Sequence, residues 1–198
     1  MKRGLIFLSV VGLAFATVAS ASVQQDDTEL DFLGGFLAQN GDGSGEDAVG
    51  DLDAWFLTAA LGYFFTDNIQ GQVAIMGAWT SYDESSAAGN NDVDVDVYGI
   101  GLRGKYHFMP TNQWVPYIGL QLFWADASID RGAGETDVDV DGIMWGPVLG
   151  LRYELSANND FFVEYQYHIW ELDAPSSWNN DVLDDGHALL VGLIHQFK

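Results

Sequence analysis

The sequence predicts an all-β fold: eight antiparallel strands closed into an up-and-down barrel that spans a membrane. Three observations predict it. About ten residues of alternating apolar and polar or small side chains recur eight times between Leu30 and Phe197. Side chains of a strand alternate with period two, so each segment has one greasy face and one polar face. The polar face is rich in glycine yet carries Arg and Lys in mid-strand, while the apolar face begins and ends in aromatics. Finally, the connections between segments alternate between short and long.

The first strand is expected over Leu30–Gln39, with Leu30, Phe32, Phe36 and Ala38 on one face and Leu33 and Leu37 on the other. The second, Ala54–Phe65, sets Leu57, Ala59, Leu61 and Tyr63 against Thr58, Ala60 and Gly62. After a turn at Thr66-Asp67-Asn68, the third, Ile69–Thr80, places Ile69, Val73, Ile75 and Trp79 outward and Gln70, Gln72, Ala74 and Met76 inward. The fourth, Val95–Phe108, sets Tyr98, Ile100, Leu102 and Tyr106 against Gly99, Gly101, Arg103 and Lys105. In the fifth, Val115–Ala125, Ile118, Leu120, Leu122 and Trp124 oppose Tyr117, Gly119, Gln121 and Phe123.

The sixth, Gly142–Leu155, has Ile143, Trp145, Leu149, Leu151 and Tyr153 outward and Met144, Gly146, Gly150, Arg152 and Glu154 inward. Pro147 lies on its outward face in mid-strand, where the missing N–H predicts a bulge. The seventh, Phe161–Trp170, turns Glu164, Gln166 and His168 inward, and the eighth, His187–Phe197, turns Leu189, Val191, Leu193 and Phe197 outward. Three connections are short (Thr66–Asn68, Pro110–Gln113, Ser156–Asp160), and four are long and polar (Gln39–Asp53, Ser81–Asp94, Asp126–Asp141, Glu171–Gly186). Short turns on one rim and long loops on the other is the build of bacterial outer-membrane barrels, short side to the periplasm.

Residues 1–21 read as a secretory signal peptide: Lys2 and Arg3, an apolar run Leu5–Val18, then Ala19-Ser20-Ala21. That run is too short to span ~30 Å of hydrocarbon as a helix. The expected mature domain is 22–198, an outer-membrane β-barrel. The chain has no cysteine, so its core or the closure of its sheet must hold it. It carries 7 Lys+Arg against 29 Asp+Glu, and loss of Lys2 and Arg3 leaves 5 against 29. This balance excludes nonspecific nucleic-acid binding, which needs clustered bases.

In hydrocarbon every backbone polar group must be satisfied within the protein, which only a closed sheet of strands achieves. The expected aromatic girdle is Tyr63, Trp79, Tyr106, Trp124, Tyr153, Phe161 and Phe197, since rings with one polar edge favour the interface. The competing reading, a water-soluble barrel with this face as its core, would put Arg103, Lys105, Arg152, Glu154 and Glu164 on a glycine-dominated exterior.

Three stretches carry a resemblance: Gly62-Tyr63-Phe64-Phe65-Thr66-Asp67-Asn68-Ile69, Val115-Pro116-Tyr117-Ile118-Gly119-Leu120, and the last strand ending in Phe197. At these residues the chain resembles the small outer-membrane barrels related to the transmembrane domain of OmpA and to OmpX. The resemblance implies residence in the outer membrane of a Gram-negative bacterium as a monomer, in contact with lipid and lipopolysaccharide. It also implies insertion by the barrel-assembly machinery through a terminal aromatic, here followed by Lys198.

Eight strands enclose a lumen just wide enough for side chains. The expected interior charge cluster is Arg103, Lys105, Arg152, Glu154 and Glu164. Pairing Leu155 with Phe161 would set Arg152 opposite Glu164. Buried charges must neutralise one another, so the cluster is expected to plug the barrel; the alternative is a gate on a narrow ion path.

The four long connections, counted as 40–53, 81–96, 126–141 and 171–185, hold five, five, six and five acids, together 21 of the 29 carboxylates, against one base, Arg131. Two stretches, Asp92–Val97 and Asp137–Asp141, alternate Asp with Val and put the acids on the outward parity. Beside lipopolysaccharide phosphates these would repel unless Ca²⁺ or Mg²⁺ bridged them; the plainer reading is a solvated anionic surface. Asn40–Gly45 with Asp51 loosely follows a calcium-loop pattern.

For an enzyme the candidates are His168, His187, His195, Ser176 and Ser177, with no readable nucleophile–base spacing. No catalytic residue, cofactor or resident metal is therefore expected. The expected role is that of an integral outer-membrane barrel, structural or surface-interactive, displaying four acidic extracellular loops. The alternatives are a narrow low-conductance channel, an adhesin, and a lipid A acyl hydrolase or transferase.

Overall fold

The computed structural model describes residues 23–40, 52–86, 89–130, 138–173 and 185–197. Eight strands follow in chain order: β1 (Thr28–Asn40), β2 (Leu52–Phe64), β3 (Ile69–Ser86), β4 (Gly89–His107), β5 (Trp114–Asp130), β6 (Val138–Ser156), β7 (Asn159–Asp173) and β8 (Asp185–Phe197). Each pairs antiparallel with its sequence neighbours, and β1 pairs with β8, so the sheet closes on itself. All eight expected segments are strands. Among the described residues no helix is long and apolar enough to cross a membrane.

The register fixes the shape. Cross-strand partners lead from Phe161 through Leu193, Phe32, Ala59, Ile75, Ile100, Trp124 and Ile143 to Glu171, ten residues further along β7. With ~3.3 Å per residue and ~4.8 Å between strands, that stagger tilts the strands by about 40°. Ten steps along β5, from Trp114 to Trp124, then rise about 25 Å along the barrel axis, the height of a lipid-facing band.

Alternation decides which face each side chain takes. On β5 the burial pattern alternates almost without fault from Trp114 to Asp130. Outward residues are apolar and exposed: Leu102 is 61% accessible, Leu120 64% and Leu189 61%. Inward ones are shielded, including Arg103, Lys105, Arg152 and Glu164. A soluble barrel has the opposite arrangement, so the lipid-facing assignment of Tyr98, Ile100, Leu149 and Val191 follows from the geometry.

Four expectations need correction. The connection expected over Ser81–Asp94 is mostly strand: β3 and β4 continue as a hairpin until Ser86 faces Gly89. The Asp-Val alternation explains it, because valine inward and aspartate outward sustain a strand beyond the membrane. Likewise β5 and β6 run to Asp130 and Val138, leaving 131–137 between them.

The second correction concerns Pro147, which produces no bulge. Trp145 faces Ile169 before it and Val148 faces Gln166 after it, three residues on each strand, so the ladder is interrupted without a change of register. Pro147 keeps its place opposite Leu120 on the other side.

The third is the β6–β7 turn, which is tighter than Ser156–Asp160. Ser156 faces Asn159, and an irregularity falls between Glu154 and Ser156. Asn158 anchors this turn to β8, its amide donating to the Gln196 carbonyl at 3.0 Å and its carbonyl accepting from Gln196 N–H at 2.8 Å. Arg152 therefore faces Phe162, and Glu164 faces Gly150; the two ions are not opposite each other. The fourth correction is Glu154, which lies beside this irregularity opposite Asp160 and is partly exposed at the rim, outside the buried interior cluster.

Candidate functional site

The lumen has two storeys. On β1, β3 and β4 the inward residues nearest the short-turn rim are polar or charged and those nearer the long-loop rim are apolar. Thus Gln70 and Gln72 precede Ala74, Met76 and Ala78 up β3, while His107, Lys105 and Arg103 lie below Val97 and Val95 on β4. Val23, itself buried, bonds to the Pro110 carbonyl at 3.3 Å and lies across the short-turn end.

The lower storey is a network of buried ions that reaches across the cylinder. Glu164 on β7 pairs with Arg103 and, at 3.6 Å, with Lys105, both on β4. It also accepts from the Tyr117 hydroxyl at 2.8 Å and from the Gln166 amide. Lys105 bonds Asp31 on β1 at 3.2 Å, and its ammonium stands 4.9 Å from the centre of the Tyr117 ring. Arg152 on β6 holds Glu29 on β1 at 2.8 Å, and it also pairs with Asp160. Gln70 donates to Glu29, and His107 contacts Gln70 at 3.1 Å.

Among these buried groups are four carboxylates and three cations. Burying one ion alone would be prohibitive, so each must find an opposite charge and hydrogen bonds. Gly150 makes room for this: a Cβ there would stand 2.1 Å from the Tyr117 ring.

Arg103, Lys105, Arg152 and Glu164 thus belong to one interior cluster, as the sequence reading placed them, but with other partners. Glu29, Asp31, Asp160 and His107 complete it. Parity carried two and four residues below Leu33 would have found Asp31 and Glu29, and two residues below Phe162 would have found Asp160.

On the outer face, Tyr63, Tyr106, Tyr153, Phe161 and Phe197 ring the short-turn end, and Trp79 and Trp124 lie toward the long-loop end. The structure adds Phe65, Phe108 and Trp114 to the lower ring and Phe36, Trp55, Tyr98 and Trp145 to the upper one. Neighbouring rings touch, Phe36 with Trp55 at 4.2 Å and Trp114 with Tyr153 at 4.4 Å between centroids.

Immediately above the upper ring the outward side chain becomes an acid on five strands. Asp96 follows Tyr98, Asp126 follows Trp124, Asp141 follows Ile143, Glu171 follows Ile169, and Asp185 follows His187. Trp145 Nε1 donates to Glu171 at 3.1 Å, and Tyr167 donates to Asp185. Asp126 faces Asp141 directly and Asp94 faces Asp130, like charges that repel across the ladder. Among the described residues no group of three or more His, Asp or Glu could hold a metal ion by itself. The calcium-like stretch Asn40–Gly45 with Asp51 falls almost wholly outside the described residues.

The enzyme candidates are not brought together. His168 is buried in the lumen against Gln166, at 2.7 Å. His187 lies outside near the upper ring against Tyr165, and His195 lies outside at the opposite end of β8, bonded to Asn159 at 2.9 Å. Ser176 and Ser177 lie outside the described residues.

A closed antiparallel barrel with an apolar outer band, two aromatic rings and ions inside defines an integral membrane protein of the outer-membrane type. The sequence profile of the family described as outer membrane protein beta-barrel domain matches residues 11–197, and the chain belongs to that family. Among solved structures it is similar to Neisserial surface protein A, with a TM-score of 0.66 at 18% identity, covering 86% of this chain and 97% of that one. It is also similar to the outer membrane protein AlkL (TM-score 0.57, 20% identity, 92% and 95% covered). A third likeness is to Ail, the attachment invasion locus protein of Yersinia pestis (TM-score 0.52, 14% identity, 87% and 99% covered). No curated protein sequence matches the chain.

Proposed function

We propose that this protein is an outer-membrane scaffold that does not conduct and that presents an acidic collar and acidic loops to the cell exterior. The observation that carries the reading is the change, within one outward position, from Tyr, Trp, Ile or His to carboxylate on five strands. A general excess of acid would scatter the charges; here they stand at one level, just above the apolar band. The structural half of the reading rests on the lumen, where Arg103, Lys105, Arg152 and Glu164 are all 4% accessible or less. A narrow ion path needs wetted ions, whereas these are bonded to one another. In planar bilayers the purified barrel should show no steady open current; a wide, stable conductance would overturn the scaffold reading in favour of a channel.

The collar stands at the level of lipid phosphates. Divalent cations, sharing ligands between one or two carboxylates and a phosphate oxygen, turn that repulsion into attraction. In micelles containing lipopolysaccharide, chelation by EDTA should lower the melting temperature, by about 2–4 °C for each kcal/mol of bridging lost. Melting that is identical with and without chelator would leave only a solvated anionic surface. Attachment to another cell or to a matrix is a particular form of the same surface role.

A further inference from the structure

Inside the lumen the charges do not balance. Among the described residues the buried ions are Glu29, Asp31, Asp160 and Glu164 against Arg103, Lys105 and Arg152. Two pairs form one to one: Arg103 with Glu164, and Lys105 with Asp31 at 3.2 Å, closer than its 3.6 Å to Glu164. The excess falls on the third cation. Arg152 gives Nη1–H to Glu29 at 2.8 Å and Nε–H to Asp160, so two carboxylates share one guanidinium.

Neither interior histidine supplies the missing positive charge. Gln70 donates its amide to Glu29 and so turns its carbonyl oxygen to His107, whose Nε2 must carry the hydrogen. Gln166 likewise donates to Glu164 and accepts from His168 Nε2 at 2.7 Å. The Nδ1 atoms of both rings are buried with no hydrogen-bond partner, so no acceptor stands ready for a second proton.

The other groups around Glu29 and Asp160 leave the deficit in place. Lys105 on β4 is paired with Asp31, and the Tyr117 hydroxyl on β5 is given to Glu164. Gln70 on β3 and Gln196 on β8 are neutral, the latter donating to Asp160 at 3.3 Å, and β2 faces Glu29 with Gly62. Glu154, opposite Asp160, and Asp27, which accepts from Gln24 N–H at 3.0 Å, are partly exposed and add only negative charge. An uncompensated buried charge is costly enough that the group takes up a proton instead.

We propose that Glu29 and Asp160 hold one proton between them across Arg152, which makes the interior neutral and forms a pH-sensitive switch at the floor of the lumen. The proton belongs to the pair, as it does for any two strongly interacting sites. Arg152 and Asp160 immediately precede Tyr153 and Phe161, and Glu29 faces the neighbour of Tyr63, so the triad stands at the height of the lower aromatic ring. Alkaline water on the short-turn side withdraws the proton. Two anions then compete for one guanidinium, and the contact of β1 with β6 across the lumen loosens. The inference goes beyond the scaffold reading and holds whether or not the barrel conducts.

The test is urea unfolding of the full barrel in lipid vesicles from about pH 5, where carboxyls of the unfolded chain are already ionised, to about pH 9. The parent is compared with Glu29→Gln and with Asp160→Asn, each of which removes the excess charge. The two neutral histidines affect all three proteins alike and cancel in the ratios. Because the folded parent holds one proton more than its unfolded chain, its folding constant relative to either variant should fall tenfold per pH unit, levelling off once the proton is gone. In ester-free detergent at pH 7, the infrared spectrum of the folded parent should carry the C=O band of a protonated carboxyl, missing from both variants. A ratio that stays flat or rises with pH overturns the proposal, as does a parent without that band. So does a ratio that follows sodium concentration in place of pH, since the balancing charge would then be an inorganic cation. Should one variant fail to fold, the other variant and the parent's own band still decide.

Discussion

Glu164→Ala is expected to unfold at lower urea than the parent, with a loss of about 3–5 kcal/mol, the cost of leaving buried charge without its partner. Glu164 answers Arg103 and Lys105 and takes hydrogen bonds from Tyr117 and Gln166, so its removal strands Arg103 and leaves Lys105 with Asp31 alone. Arg103→Met combined with Glu164→Gln should recover part of that loss, because neither member then remains an unpaired ion. A double-mutant cycle decides which contacts matter. Coupling between residues 103 and 164 should be of order 1 kcal/mol or more, since pairs in one ion network fail to add. Coupling between Arg152 and Glu164 should be much smaller, because Arg152 spends its guanidinium on Glu29 and Asp160. If Glu164→Ala were neutral, the interior network would be an incidental packing of charges and would not stabilise the barrel.

The second large effect belongs to the opposite face. Leu102→Arg should cost about 2–4 kcal/mol in folding into lipid vesicles, the measured scale for a cation near the bilayer midplane of a barrel. Leu102 is 61% accessible and faces Leu122 and Val73 in the middle of the apolar band. In a soluble protein so exposed a leucine would accept arginine with little change. The control is Asp94→Arg, two outward positions above Tyr98, where the cost should fall to about 0–1 kcal/mol. Equal, small effects at both positions would mean that the band does not meet lipid.

Most of the fold is legible in the sequence because a strand's alternation is local. Tyr98, Ile100 and Leu102 declare one face and Arg103 and Lys105 the other without knowledge of any neighbour. Where local signals run out, the structure departs from the expectation in identifiable ways. Residues 92–94 fall in a connection by sequence because their acids are too polar for a membrane strand, yet β4 runs through them past the lipid. Pro147 announced a lost N–H but not how the ladder would absorb it. Glu29 precedes Leu30, where apolar periodicity begins, although the strand begins at Thr28; Asp31 lies within the expected strand, on the inward parity of Leu33.

By itself the sequence determined the strand count, the face each side chain takes, the height of the apolar band and the acidic character of one rim. Each of these follows from period-two geometry and turn chemistry within about ten residues. Only the tertiary structure decided who meets whom inside. Arg103 reaches Glu164, Lys105 reaches Asp31 and Arg152 reaches Glu29, all across the lumen between strands distant in sequence. That choice depends on a ten-residue stagger accumulated around the whole cylinder, and on one irregularity between Glu154 and Ser156. A slip of one strand against the next changes every partner around the circuit while leaving the alternation of each strand untouched.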